Sequence, residues 1–160
     1  MNGLTIRAAR PTDREALLEQ FQGLNRFEDA ITGDRATDRA GAEASLSHSE
    51  RRIAESGGHQ LVAERDGAVI GHLFLIFARQ APFVHPDRRA HGYVSELYVR
   101  EAVRGSGVGR ALLAEAERLT RAEGLDRMLI GVVAGNDRAE QTYLRAGFAP
   151  YSRELLKKLD

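Results

Sequence analysis

The residues with the most chemical content are Arg104-Gly105-Ser106-Gly107-Val108-Gly109-Arg110, spaced Arg-x-x-Gly-x-Gly. The three glycines permit positive φ and let a ligand approach the backbone closely. Successive N–H groups in such a turn converge on one anion, and a helix starting there adds the positive end of its dipole. Arg104 and Arg110 add charge on either side. By chemistry alone this is a phosphate-binding turn. Two familiar phosphate loops do not fit it. The P-loop ends in Gly-Lys-Ser/Thr, and no lysine stands here. The dinucleotide fingerprint Gly-x-Gly-x-x-Gly would start at Gly105 and need glycine where Arg110 stands.

The turn must be held between a strand and a helix, and the sequence supplies both. Residues 93–99 alternate as a strand, with Val94, Glu96 and Tyr98 expected on one face. Residues 107–123 place Val108, Leu112, Ala116 and Leu119 along one helical stripe, and Gly124 stops it. Residues 127–133 read as a buried-type strand rich in branched side chains. A strand–helix–strand unit of this kind makes its two strands parallel. A short helix follows over 137–146, capped by Asn136 and ended by Gly147.

Upstream, Leu4 to Arg7 alternates as a first strand, and Thr12 with Glu15 forms a capping-box pattern for a first helix. Residues 25–40 read as a loop or broken helix, and a second helix runs over 41–56. Strands over 60–65 and 68–78 are joined by Asp66-Gly67, a two-residue hairpin turn. The tail over 151–159 reads as a last strand. The order β α α β β β α β α β is mixed α/β, not doubly wound, and 1–160 reads as one domain without repeats or linkers.

Composition narrows the chemistry. The chain has no cysteine, which excludes disulfides, thiolate zinc sites, Fe–S clusters and cysteine nucleophiles and suits a cytoplasmic location. Its 23 basic and 23 acidic residues cancel, which argues against a nucleic-acid binder. The longest apolar stretch, 69–78, is too short to span a bilayer, so no membrane is expected. His85 and His91 flank a loop without ligand spacing, and no metal is expected. The cancellation hides a split: residues 12–66 hold twelve acids and seven bases, and 79–110 hold six bases and three acids.

Leu97-Tyr98-Val99, then Arg104-x-x-Gly107-x-Gly109 and Ala111-Leu112-Leu113, resembles the acetyl-CoA pyrophosphate loop of the GNAT N-acetyltransferase superfamily. Asn136-x-x-Ala139-x-x-x-Tyr143-x-x-x-Gly147-Phe148 resembles its other signature, in the right order downstream. The resemblance is close over 93–149 and covers only element order over 4–78. It implies that the coenzyme's pyrophosphate lies on backbone N–H groups from Arg104 through Gly105, Ser106, Gly107, Val108 and Gly109 to Arg110. It implies that the pantetheine arm pairs like an added strand with Leu97, Tyr98 and Val99, because strands 93–99 and 127–133 splay apart. Asn136 would bind that arm, and Tyr143 would place its hydroxyl near the sulfur.

The implied reaction is attack of a primary amine on the acetyl thioester in a ternary complex, with Glu96 as general base and Tyr143 as acid or hydrogen-bond donor to the thiolate. Phe27 and Glu28 are the candidate acceptor-binding residues, because Leu24-Asn25-Arg26-Phe27-Glu28 is faintly similar to the diamine acetyltransferase branch. Glu28, Asp29, Asp34, Asp38 and Glu43 would make an acidic wall suited to a cationic small molecule or peptide. A non-catalytic acyl-CoA sensor on the same fold is the other reading, and Glu96 and Tyr143 weigh against it. Dimers are frequent in this family, and the 151–159 tail is a candidate contributor to one.

Overall fold

The computed structural model describes residues 3–159. Five strands form one sheet in the order β1-β2-β3-β4-β5: β1 Thr5–Ala8, β2 His59–Arg65, β3 Ala68–Arg79, β4 Ala90–Val99 and β5 Met128–Ile130. The first four are antiparallel neighbours, and β4 and β5 are parallel, as a strand–helix–strand unit requires. The β2–β3 turn places Asp66 at φ 52° and Gly67 at φ 78°, the left-handed pair that a two-residue hairpin needs.

Helices cover both faces. Helix α1 (Arg14–Thr32) and α2 (Arg39–Ser56) share a core with Val62, Phe74 and Ile76 on one face. Helix α3 (Val108–Ala122) packs Val108, Leu112 and Ala116 against Leu73, Leu75 and Val94 on the other. Helix α4 (Asp137–Arg145) places Tyr143 against this second core.

Helix α1 begins differently from the expected Thr12–Glu15 box. A short 3-10 turn over Pro11–Asp13 precedes it. The Asp13 carboxylate accepts from the Arg10 N–H and from the Arg7 guanidinium, which holds its pKa below the usual carboxylate range. The helix then continues to Thr32 and ends at Gly33 in the left-handed region, so residues 25–32 are helix rather than loop. The charges there are carried by helix, from which half-buried Glu28 and Asp29 hold the following Arg35.

Two further expectations change. β5 is three residues long, and 131–133 continue without pairing. Residues 151–159 form no strand, and every one is exposed.

Candidate active site

One extra residue in β4 opens the site. Phe74 faces Glu96 and Leu75 faces Val94, so Ser95 is an unpaired bulge between them. A bulge bends its strand and reverses the side-chain alternation beyond it. β4 stops pairing with β5 at the same point, at Val94–Ile130. Residues 95–99 therefore diverge from 131–133 and leave a gap between the two strands. The alternation also changes: Val94 lies in the α3-side core, whereas Glu96 bonds to α2 and Tyr98 stacks on His72 under α1. The expected sharing of one face by Val94, Glu96 and Tyr98 is thus wrong for Val94, because alternation does not anticipate a bulge.

Glu96 is held from the α2 side. The Ser49 hydroxyl donates to its Oε1 at 3.1 Å. Burial pushes the Glu96 pKa up to about 7; the Ser49 bond opposes this, Glu28 adds to it and Arg52 opposes it. Arg52 itself lies over the Tyr93 ring at 5.8 Å. Sequence reasoning missed Ser49, although a signal existed: it is the polar position in the otherwise apolar stripe Leu46–Ser49–Ile53 of α2.

Tyr98 sits in an aromatic stack. His72 is fully buried, parallel to Phe21 at 4.9 Å and 6.0 Å from Tyr98. Gln20 donates its amide to Val69 O, so its Oε1 accepts from His72 Nδ1–H at 2.9 Å. Burial drives the His72 pKa down to about 3, which keeps the ring neutral and the stack uncharged. Gly23 makes room for Tyr98: a Cβ there would lie 2.6 Å from the tyrosine hydroxyl.

Tyr143 reaches the gap from the other face. It packs edge-on to Phe148 at 6.2 Å, and burial with the nearby Glu28 charge pushes its pKa up to about 12. It therefore stays protonated through the physiological range. Glu28 influences both Tyr143 and Glu96. The C-terminal half of α1, β4 and α4 thus converge on one place. Gly135 closes its far side, where a Cβ would sit 3.1 Å from Ile31 Cγ2 of α1.

The glycine turn forms the other end. Gly105 and Gly107 have φ of 81° and 88°, and an added Cβ on either would meet no protein atom within 4 Å. The turn is therefore open on the side where its backbone points. Gly107 is the N-cap of α3, and its carbonyl first receives the Ala111 N–H. The N–H groups of Val108, Gly109 and Arg110 have no acceptor within the helix. Ser106 turns its hydroxyl inward to Val103 O.

Arg104 behaves differently from its neighbours. Its N–H donates to Glu101 O, its Nε donates to Val99 O, and its guanidinium lies over the rings of Phe27 and Tyr98 at 5.3 and 5.5 Å. The side chain thus leaves the turn and ties it to α1. Two cations that sequence reasoning did not single out, Arg138 and Arg145, line a cleft between the turn and α4 together with Gly105. They lie on the exposed face of an amphipathic helix, where charge alone carries no signal. Asn136 caps α4 by accepting from Ala139 N–H, which leaves its amide N–H groups free to donate.

The acidic wall is largely absorbed by the protein itself. Asp38 caps α2 by accepting from Gly41 N–H, Glu43 pairs with Arg39, and Asp34 pairs with Arg35. Asp29 accepts the Arg35 N–H. Glu28 also pairs with Arg35, yet it alone of the five perturbs the groups at the gap. Phe27 beside it is half-exposed. Among the described residues, no three His, Asp or Glu side chains gather as a metal site. No described helix is long and apolar enough to cross a membrane.

Comparison with known proteins agrees with this layout. Residues 24–148 match the model of the acetyltransferase (GNAT) family. A mycothiol acetyltransferase of Frankia casuarinae is 34% identical over 97 residues, which is 59% of this chain and 28% of that protein. An uncharacterized N-acetyltransferase of Bacillus subtilis is 28% identical over 153 residues, covering 91% of this chain and 94% of that one. The chain spans less than a third of the mycothiol acetyltransferases it matches. Among solved structures, a Bacillus halodurans protein superposes with a TM-score of 0.83 at 20% identity, covering 97% of this chain and 99% of that chain. An aminoglycoside 6′-N-acetyltransferase from Acinetobacter haemolyticus does so with a TM-score of 0.71 at 19% identity, covering 98% and 99%. With the family model spanning most of its length and the splayed β4–β5 pair and glycine turn in place, the chain belongs to the GNAT family of acetyltransferases.

Proposed function

We propose that this protein transfers the acetyl group of acetyl-CoA to the primary amine of a small cationic molecule or peptide, by direct attack in a ternary complex. The observation that carries the reading is Glu96: a half-buried carboxylate at the mouth of the β4–β5 gap whose pKa is raised to about 7. A carboxylate buried in a central strand is costly unless it has work to do in a wet cleft.

The residues present fit the coenzyme. The open positive-φ turn and unpaired α3 amides suit a pyrophosphate, and Arg110, Arg138 and Arg145 add cations around it. Residues 97–99 of β4 have no β5 partner and can accept an extended amide-bearing arm, although Val99 O is already engaged by Arg104. When bound, acetyl-CoA supplies the thioester and the thiolate leaving group.

The chain's own task is proton management. A lysine-like amine has a pKa near 10.4, so freeing its lone pair at neutral pH costs about 4–5 kcal/mol. Glu96, poised near 7, accepts that proton directly or through one water. Tyr143, protonated up to about 12, donates a hydrogen bond toward the sulfur. Outright proton transfer from it would be uphill, so stabilisation of the thiolate is its role. Glu28 and Glu96 bring two carboxylates to the gap, while the cations near them are engaged elsewhere, Arg35 with Glu28 and Asp34, Arg52 over the Tyr93 ring and Arg104 on Val99 O, which favours a cationic acceptor. The amine acceptors implied by the names of the mycothiol and aminoglycoside enzymes are compatible with a small-molecule amine.

The test is thiol release from acetyl-CoA across a broad panel of diamines, aminoglycosides, amino sugars and basic peptides. Amine-dependent release is expected, and coenzyme binding without release from any acceptor would overturn the reading. In the Tyr143→Phe variant, kcat is expected to fall by about 10²-fold with coenzyme KM nearly unchanged. Undiminished turnover would remove the tyrosine from the mechanism.

A further inference from the structure

We propose that Ser49 positions Glu96 for proton transfer: its hydroxyl holds Oε1 against α2 and leaves Oε2 as the oxygen that takes the acceptor's proton. The inference rests on the reading of Glu96 as general base. Ser49 is 1% exposed, and its hydroxyl donates to Glu96 Oε1 at 3.1 Å. Among the described residues nothing donates to Oε2, and this oxygen is not sealed from solvent. One oxygen is therefore anchored and the other is open.

The direction of the Ser49 bond is unusual for a helix. A hydroxyl there commonly bonds back to the carbonyl four residues before it. Thr32, Thr120 and Thr142 all do so in this chain, to Glu28 O, Ala116 O and Arg138 O. Thr120 is buried like Ser49, so burial alone does not turn a hydroxyl away from its own helix. Ser49 instead reaches across to β4 from the stripe Leu46–Ser49–Ile53, whose apolar members pack α2 against Phe74 and Ile76.

Glu96 needs such an anchor. It follows the Ser95 bulge, and its long side chain has many rotamers to lose. A base must stand within hydrogen-bond reach of the proton it takes. A neutral hydroxyl suits the whole cycle. The proton passes from the acceptor nitrogen to Oε2, and Oε1, then the carbonyl oxygen, still accepts from Ser49. A lysine or arginine at this place would hold the carboxylate as well but would depress its basicity. The Ser49 bond is stronger to the charged carboxylate, so it opposes the desolvation that raises the Glu96 pKa. The charged groups acting on Glu96 are Glu28 of α1 and Arg52 of α2. Phe74 stands opposite it on β3, while His72 stays neutral and Tyr143 of α4 stays protonated.

Ser49→Ala should keep α2 intact, since alanine is the stronger helix former. The Glu96 midpoint is read from its side-chain carboxyl resonance in carbon-13-glutamate-labelled protein, assigned by its loss in Glu96→Gln. It is expected to rise by about one pH unit in Ser49→Ala. With acetyl-CoA and an amine, kcat at about pH 9 should fall by about 10-fold, with coenzyme KM unchanged. The same substitution made in the Glu96→Gln background should cost less than about twofold. An unmoved Glu96 midpoint would overturn the proposal. So would equal losses in the two backgrounds, the mark of a merely structural serine. Full turnover by Glu96→Gln would instead overturn the general-base assignment on which this one rests.

Discussion

Replacing Glu96 by Gln is expected to lower kcat by about 10²–10⁴-fold while making the protein more stable at pH 8. The first effect is the loss of the proposed general base, whose pKa of about 7 lies near the working pH. Gln retains the shape and still accepts from Ser49, so coenzyme affinity should change little. The second effect follows from linkage. The folded pKa, about 7, lies above the unfolded value, near 4.3–4.5. Between those values the native state binds more protons than the unfolded state, so stability falls as pH rises through the window and levels off above about 7. The cost at pH 8 is at most about 3–4 kcal/mol, reduced by whatever water reaches the carboxylate. The Gln variant carries none of it. Its thermal midpoint should exceed that of the parent at pH 8, and the two should converge toward pH 5. A Gln variant less stable than the parent at pH 8 would show that the Glu96 charge is compensated in the folded protein.

The same carboxylate sets the pH profile. The acceptor amine also titrates, so the useful quantity is parent activity divided by Glu96→Gln activity. That ratio should rise through a pH near 7 as Glu96 ionises and remain flat to at least pH 9, because Tyr143 stays protonated up to about 12. Glu28 and Arg52 are the charged groups facing Glu96, one raising its pKa and the other lowering it. Glu28→Gln should therefore shift the midpoint of the ratio downward.

Much of this site was legible because local chemistry constrains it. The glycine turn, the N-cap Asn136 and the Asp66-Gly67 hairpin each need particular residue types at particular φ, and the structure places each where the residues predicted. What escaped depends on register and on distant neighbours. The Ser95 bulge leaves no compositional mark, yet it decides which face Glu96 shares and where β4 leaves β5. The charges of residues 25–32 read as a loop in the sequence, whereas in the structure Arg35 folds back onto Glu28 and Asp29 of a continuous helix α1. The acidic wall looked continuous because a charge count cannot show that Asp38 is a cap and that Glu43 and Asp34 are already paired. The tail reads as a last strand, but a strand needs a paired edge, and among the described residues none pairs with 151–159.

Gly107→Asp is expected to weaken coenzyme binding by about 10²-fold or more, and its comparison with Gly107→Asn separates charge from backbone strain. Gly107 has φ 88°, where a side chain costs about 1–2 kcal/mol, and Asn and Asp bear that conformation better than other residues. No protein atom lies within 4 Å of the new Cβ, so neither substitution clashes. Gly107 is the N-cap of α3 in the left-handed region rather than the extended backbone from which Asn and Asp side chains cap, so the strain on α3 should be alike in the two variants. The variants differ in one charge, placed against the site proposed for the pyrophosphate. Two unit charges about 4 Å apart repel by about 4 kcal/mol near a protein surface, and partial screening brings this toward 10²-fold in affinity. Calorimetric titration with CoA should show a modest loss for Asn and a large one for Asp, with the gap narrowing as NaCl is raised. Equal affinities for the two variants at low salt would mean that the pyrophosphate lies elsewhere.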